Sequence, residues 1–312
     1  MSIHKNESIH RFSHHAMSTV FEVVIAGMNR DYAGQASQAV FHDIDRLEGL
    51  LSRFNPSSEI GRINRLSPGE ELSVGIELLE CLQISEEIYD QTNGAFDINV
   101  KARIKRNEGA KSTEDHELLS SNLFPLTIER SGMRFIIAYP PDNSRDIYGE
   151  VDIDLGGIGK GYALDKAFEI LRDWSIEDGF IHAGTSTVLA AGSPPDFKSD
   201  ELGWPVGVAT GWEKTTSVNK VILKDRALSG SGKEIKGEHI IDPFTGRPAK
   251  GHAAAWVSHP VAAEADALST AFIVMDTEAV KEYCRNHPEV WALLVQEKGT
   301  ITVLNQELLM VD

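Results

Sequence analysis

Residues Asp154–Asp165 read DLGGIGKGYALD. An apolar run precedes this stretch. After it, Ala163, Ala167, Leu171 and Trp174 recur at spacings of three and four, one face of a helix. The four glycines, Gly156, Gly157, Gly159 and Gly161, permit sharp turns and close approach of a ligand to the backbone. A helix starting beside them would turn its free N–H groups toward an anion. Two well-known phosphate motifs do not fit. The spacing GxxxxGK[ST] is absent, since Tyr162 follows Lys160-Gly161, and no GxGxxG opens a βαβ unit. A phosphate turn and a plain strand-to-helix turn fit the stretch equally well.

Elsewhere, strands and helices do not alternate regularly. Residues 17–27 alternate and are rich in Val and Ile, so they read as a strand. Ala36, Val40, Ile44, Leu47 and Leu51 mark a helix, and a second helix is predicted over 76–91. Short strands are expected at 124–130, 133–139 and 149–153, then at Phe180–Ile181 and Val188–Ala190. Trp204–Thr210 and Ser217–Leu223 suggest a hairpin. Helices over 264–275 and 277–286 precede two closing strands, 290–296 and 300–304. This order does not suit a pure Rossmann sheet. The expected fold is α+β, with mixed, largely antiparallel sheets and packed helices. The polar, charge-mixed run from Lys101 to Glu117 reads as a mobile flap, and residues 1–16 as a flexible N-terminal segment.

Bulk properties narrow the function. With 312 residues and 41% hydrophobic content, the chain can build one large core or two smaller ones. A net charge of -17 argues against nucleic acid and anionic membranes as partners. No run reaches the roughly 20 apolar residues of a membrane span. Cys81 and Cys284 have no CxxC partner and read as small buried side chains rather than a disulfide. The stretch MSIHKNESIHRFSHHAM shows no apolar h-region, small-residue cleavage site or lipid-anchor cysteine. A cytoplasmic location is expected, or a periplasmic one if a leader has been removed.

Three further constellations carry chemistry. In EADALSTAF, Asp266 and Thr270 are four apart and share a helix face, with Ser269 close by. Such oxygen donors suit a hard cation such as Mg²⁺, or simply cap the helix. EHIIDPFTGRP has strong turn chemistry, with His239 on its approach. The loops SRFNPSSEIGRIN and TNGAFDINV carry Phe54 and Phe96, which could stack on a flat ring or sit in the core.

Taken in order, these pieces resemble one family, the ApbE-type FAD:protein FMN transferases. The matching pieces are MSTVFEV, S-x-F-x-x-x-S-E-I-x-x-I-N at Ser52–Asn64, TNGAFD, DLGGIGKGYALDKA, SGSGKE at Ser229–Glu234, HIIDPFTGRP and ADALSTA. The similarity runs from about Met17 to the C-terminus. It implies an ApbE-like, T-fold-related architecture over 17–312, as one domain or as two subdomains with the FAD site between them. It also implies Mg²⁺-dependent cleavage of FAD, transfer of FMN to a Thr or Ser of a target flavoprotein, and release of AMP. By the same resemblance Asp266, Thr270, Ser269 and the carbonyl of Gly159 are metal ligands. Met17, Phe54, Ala95, Phe96, Asp97, Gly156, Tyr162 and Ile241 are FAD contacts. His239 is the expected base for the incoming hydroxyl, a role imidazole fills near neutral pH.

The chain departs from the family pattern in three places. Ala183-Gly184-Thr185 stands where a Gly-Gly-Asp-like turn is usual, INVKARIKRN follows Asp97 in place of a Pro- and Trp-containing segment, and no export signal is seen. Two alternatives stay open at this level: an FAD pyrophosphatase, with water replacing the protein hydroxyl, and a non-catalytic flavin-binding protein.

Overall fold

A computed structural model describes residues 9–67, 69–101, 127–131, 134–138, 151–194, 203–208, 219–232, 240–297 and 299–309. Its main sheet runs β1 (Ile9–Ala16), β2 (Thr19–Ala26), β6 (Gly179–Ala183), β7 (Thr187–Ala191), β10 (Arg226–Gly232), β11 (Ala254–His259), β12 (Trp291–Val295), β13 (Ile301–Leu304). Every neighbouring pair in it is antiparallel. A small sheet joins β3 (Glu71–Val74), β5 (Arg134–Ala138) and β4 (Thr127–Ser131), and β8 (Trp204–Val208) pairs with β9 (Asn219–Leu223) as the expected hairpin. The helices are α1 (Arg30–Leu51), α2 (Glu59–Ile63), α3 (Ile76–Gln91), α4 (Gly159–Asp173), α5 (Ala262–Val274) and α6 (Thr277–Asn286). The fold is therefore α+β with largely antiparallel sheets, as expected from the sequence.

The period of two along a strand places the layers. In β2, Phe21, Val23 and Ile25 face the helices and join one core with Ala36, Val40, Ile44 and Leu164. Val24 and Ala26 face the other way and join Trp204, Val221, Leu223 and Trp291 under the β8–β9 hairpin. The sheet is thus buried on both faces. Helix α5 is buried almost all round, which suits its near-continuous Ala/Leu/Phe/Ile sequence and places it inside the molecule. Cys81 and Cys284 are both buried with free thiols. Among the described residues no helix is long and apolar enough to cross a membrane.

Two expectations need correction. Residues 9–16 are not a flexible segment, because they form edge strand β1, paired along its length with β2. Its inward side chains are His10, Phe12, His14 and Ala16, so the alternation does not read as apolar. Their partners explain the choice: His10 Nε2 lies 3.2 Å from Met28 O, and the His14 ring stacks on Phe41 at 5.0 Å. Residues 151–153 are not a strand either, since side chains take their backbone groups in place of a ladder. Strands β3, β10 and β11 had no counterpart in the sequence reading. Residues 102–117 of the expected flap, and residues 149–150, lie outside the described residues.

Candidate active site

The segment before the glycine turn is held by two asparagines. Asn64 accepts from Ile153 N at 2.8 Å and donates to Ile153 O at 2.9 Å, while Asn99 Oδ1 accepts from Asp152 N at 2.8 Å. Asp154 N donates to Ile98 O at 2.8 Å. The Asp154 carboxylate accepts from Gly156 N at 3.0 Å and is paired with Arg53 at 2.8 Å and Lys101 at 2.9 Å. Burial alone would raise its pKa, but these donors outweigh burial and hold it below the usual carboxylate range. The chain then turns, Gly159 N closes on Leu155 O at 2.8 Å, and α4 begins.

At that helix start lies Asp266, only 3% exposed, from the second turn of α5. Its Oδ1 accepts from Thr187 at 3.2 Å and Ser229 at 3.1 Å, both from neighbouring strands of the main sheet. Its Oδ2 accepts from Gly161 N, a free donor of α4's first turn, at 3.2 Å. Lys160 Nζ lies 3.1 Å from Oδ2 and also donates to Gly156 O at 3.3 Å. Hydroxyls extend the cluster: Ser231 Oγ is 2.9 Å from Ser269 Oγ and 3.5 Å from Thr270 Oγ1. Ser269 and Thr270 both donate back to Asp266 O, at 2.9 and 3.4 Å. Asp266, Ser269 and Thr270 thus meet at one place, on the glycine turn.

Gly157 joins this cluster to the loop after α3. A Cβ at Gly157 would lie 3.2 Å from the Phe96 ring and 3.3 Å from Thr270 Oγ1. Phe96 and Ala95 are buried, Phe96 N donates to Thr92 Oγ1, and Asp97 accepts from Asn99 N at 2.7 Å. Phe54 is the reverse case: it is 87% exposed, with Arg53 over its ring at 5.7 Å. Met17 occupies the two-residue turn between β1 and β2, where it and Ser18 both adopt positive φ, 48° and 58°. Gly184 lies against this turn, as a Cβ there would sit 2.4 Å from Thr19 Oγ1, and the neighbouring Thr185 is exposed.

Tyr162 and Ile241 are placed apart from the Asp266 contacts. The Tyr162 hydroxyl donates to Glu80 on α3, and its ring, 2% exposed, lines a cleft of about 520 Å³ with Asp165, Lys166 and Val261. Ile241 forms a bridge with Pro248 that closes the turn DPFTGR, where Asp242 accepts from Phe244 N and Thr245 Oγ1, each at 2.8 Å. His239 lies outside the described residues.

Four site residues escaped the sequence reading. Lys160 enters the sequence reading only in excluding a P-loop, yet among the described residues it is the cation on Asp266. Ser229 and Ser231 sat in the quoted SGSGKE without a role, although their spacing of two puts both on one face of a strand. Thr187 carried no local signal, because its position is set by the pairing of β7 with β10. Among the described residues no three His, Cys, Asp or Glu side chains converge on one point. A cation here would have one carboxylate, hydroxyls and carbonyls.

The sequence and the fold are similar to those of known proteins. FAD:protein FMN transferase of Escherichia coli K12 is 23% identical over 282 residues, covering 86% of this chain and 79% of that protein. The enzyme of the same name from Buchnera aphidicola is 24% identical over 272 residues, 83% of this chain and 78% of its own. Among solved structures, the Thermotoga maritima ApbE protein superposes with a TM-score of 0.76 at 25% identity, covering 96% of this chain and 98% of that one. The apo Pseudomonas stutzeri flavinyl transferase ApbE gives 0.77 at 21% identity, covering 96% of each chain. The ApbE family model matches residues 17–294, nearly the whole of the described fold and every part of the Asp266 cluster, so the chain belongs to the ApbE family.

Proposed function

We propose that this protein moves FMN from FAD onto a Thr or Ser hydroxyl of a target flavoprotein, with a Mg²⁺ ion held at Asp266. The observation that carries the reading is the meeting of Asp266, Thr270, Gly157 and Phe96 at the start of α4. It puts a buried carboxylate, a hydroxyl row and an aromatic wall on one glycine turn. The names of the relatives support the same chemistry.

The donor set fits Mg²⁺. That ion keeps waters and is often bound by one or two carboxylates plus substrate phosphates, not by an all-protein cage. Asp266, Thr270, Ser269 and the Gly159 carbonyl would hold it. When bound, Mg²⁺ neutralises charge that builds on the phosphate oxygens as the pyrophosphate breaks. The bond from the FMN phosphorus to the AMP oxygen breaks, and a bond from that phosphorus to the acceptor oxygen forms. The acceptor proton passes to His239. Lys160 balances the Asp266 charge before a cation arrives. FAD would be held between the loop after α3, which carries Ala95, Phe96 and Asp97, and the α4–α5 side, with Met17, Gly156, Tyr162 and Ile241 as further contacts. Exposed Phe54 is free to stack on a ring, a contact worth about 1 kcal/mol beyond its buried area.

Incubating a flavoprotein acceptor domain with the enzyme, FAD and Mg²⁺, then weighing it intact, tests the proposal. A gain of one FMN unit is expected. Release of free FMN and AMP without an adduct would make the protein a pyrophosphatase, and no FAD turnover would end both enzyme readings. His239→Ala is expected to slow transfer roughly 100-fold, with a smaller change in FAD affinity. Loss of FAD binding with no separate effect on rate would remove His239 as the base.

A further inference from the structure

We propose that Asp165, the last residue of DLGGIGKGYALD, is a positioning residue for the cation site; this inference rests on the Mg²⁺ reading above. Helix α5 carries Asp266 and Thr270, and its first residues, Ala262 and Ala263, are fully buried. The residue before them is Val261, whose side chain cannot accept a hydrogen bond, so α5 has no cap of its own. Asp165 on α4 supplies it. Its two oxygens accept from Ala262 N at 2.8 Å and Ala263 N at 2.9 Å.

The favour is returned across the same contact. Helix α4 also lacks its own cap, Ile158 standing at that position, and Asp266 of α5 accepts from Gly161 N at 3.2 Å. Gly161 and Asp165 are four apart on α4, and Ala262 and Asp266 are four apart on α5, so each pair shares one helix face. The two helices therefore touch through a matched set of bonds, each capping the other. Gly161 marks the closest approach, since a Cβ there would lie 2.1 Å from Ala262 O. Thr187 and Ser229 hold the Asp266 carboxylate from the sheet, while the Gly161 and Asp165 bonds hold α5 against α4 and the glycine turn. Losing the Asp165 bonds frees the start of α5 and lets Asp266 and Thr270 drift from Gly156–Gly161.

Asp165 acts through other residues, so metal affinity is the informative readout. The test is Mn²⁺ alone, titrated into the full chain and followed by loss of the free-ion EPR signal. Asp165→Asn keeps the shape and one acceptor oxygen, and is expected to weaken Mn²⁺ binding about 10-fold, with Asp165→Ala weaker still, toward 100-fold. Leu171→Ala opens the core elsewhere on α4, and should lower the melting temperature while leaving Mn²⁺ affinity within about 2-fold of wild type. The graded order Asp, Asn, Ala, absent from Leu171→Ala, supports a positioning role. Folded Asp165 variants that bind Mn²⁺ like wild type would overturn the inference and leave the Mg²⁺ site standing. A wild type that binds no Mn²⁺ with FAD present or absent, or an Asp266→Ala variant that binds it unchanged, would overturn the site itself and this inference with it.

Discussion

Five of the six described helices begin in one of two ways, while α3 starts at Gly75 with no side-chain cap. Helices α1, α2 and α6 cap themselves: Asn29 accepts from Tyr32 N, Ser58 from Gly61 N and Asp276 from Ala279 N. Helices α4 and α5 begin at Ile158 and Val261, without a side-chain cap, and are capped by each other. A self-capped helix satisfies its end locally and can sit anywhere. A cross-capped pair is satisfied only in one relative placement. The polar groups that an ordinary cap hides are here gathered at one buried contact, and that contact is the candidate active site. Site geometry and helix-end satisfaction are the same bonds.

Asp266→Ala removes the α4 cap and the proposed metal ligand together, and should cut Mg²⁺-dependent FAD turnover by about 100-fold or more while the fold survives. Circular dichroism with a turnover assay checks both halves, and unchanged activity would remove Asp266 from the site. Gly161→Ala forces a methyl against Ala262 O, and should cost about 1–3 kcal/mol of stability in denaturant titration together with a loss of turnover. Asn29→Ala breaks a self-cap and should cost about 1 kcal/mol with turnover untouched. If Asn29→Ala disturbed turnover as much as Gly161→Ala, the distinction between the two kinds of helix start would carry no functional meaning.

The smallest effect is in pH dependence near the α5 start. Burial, with Glu87, Asp165 and Glu289 nearby, pushes Glu264 up to about 7 from an ordinary 4.5. A carboxyl raised in the folded state binds more protons there than in the unfolded state, so its contribution to stability falls as pH rises through that interval. Glu264→Gln lacks this loss. Its melting temperature relative to wild type should climb between about pH 4.5 and 7 and level off above. A difference that stays flat with pH would contradict the burial argument.

Most of the helices were legible because their apolar spacing is regular. The predicted span 76–91 coincides with α3, and the face Ala36, Val40, Ile44, Leu47, Leu51 is buried in α1. Strand β1 was not legible, since an edge strand with half-buried histidines at its inward positions has no apolar alternation. Strand β10 reads RALSGSG, the composition of a turn, because Gly230 must clear the Trp256 ring, 2.5 Å from where a Cβ would sit, while Ser229 serves Asp266 and Ser231 meets Ser269 and Thr270. At the site, motif order in the sequence singled out Asp266, Ser269, Thr270 and the glycine turn. Lys160 and Asp165 lay inside the quoted stretch, but their roles depend on which helix α4 touches, and a distance of 97 residues from Asp165 to Ala262 leaves no local trace. Thr187 was hidden for the same reason.

In the proposed reaction, the buried contact between α4 and α5 is where a divalent cation meets the pyrophosphate of FAD. Anomalous diffraction at the manganese edge, from crystals of the enzyme grown with FAD and Mn²⁺, tests it most directly. One anomalous peak is expected, bonded to the Asp266 carboxylate and near Thr270, with the cofactor phosphates on its far side and the Lys160 ammonium no longer holding Oδ2. Bound FAD with no peak at Asp266, and Lys160 still on its carboxylate, would contradict it.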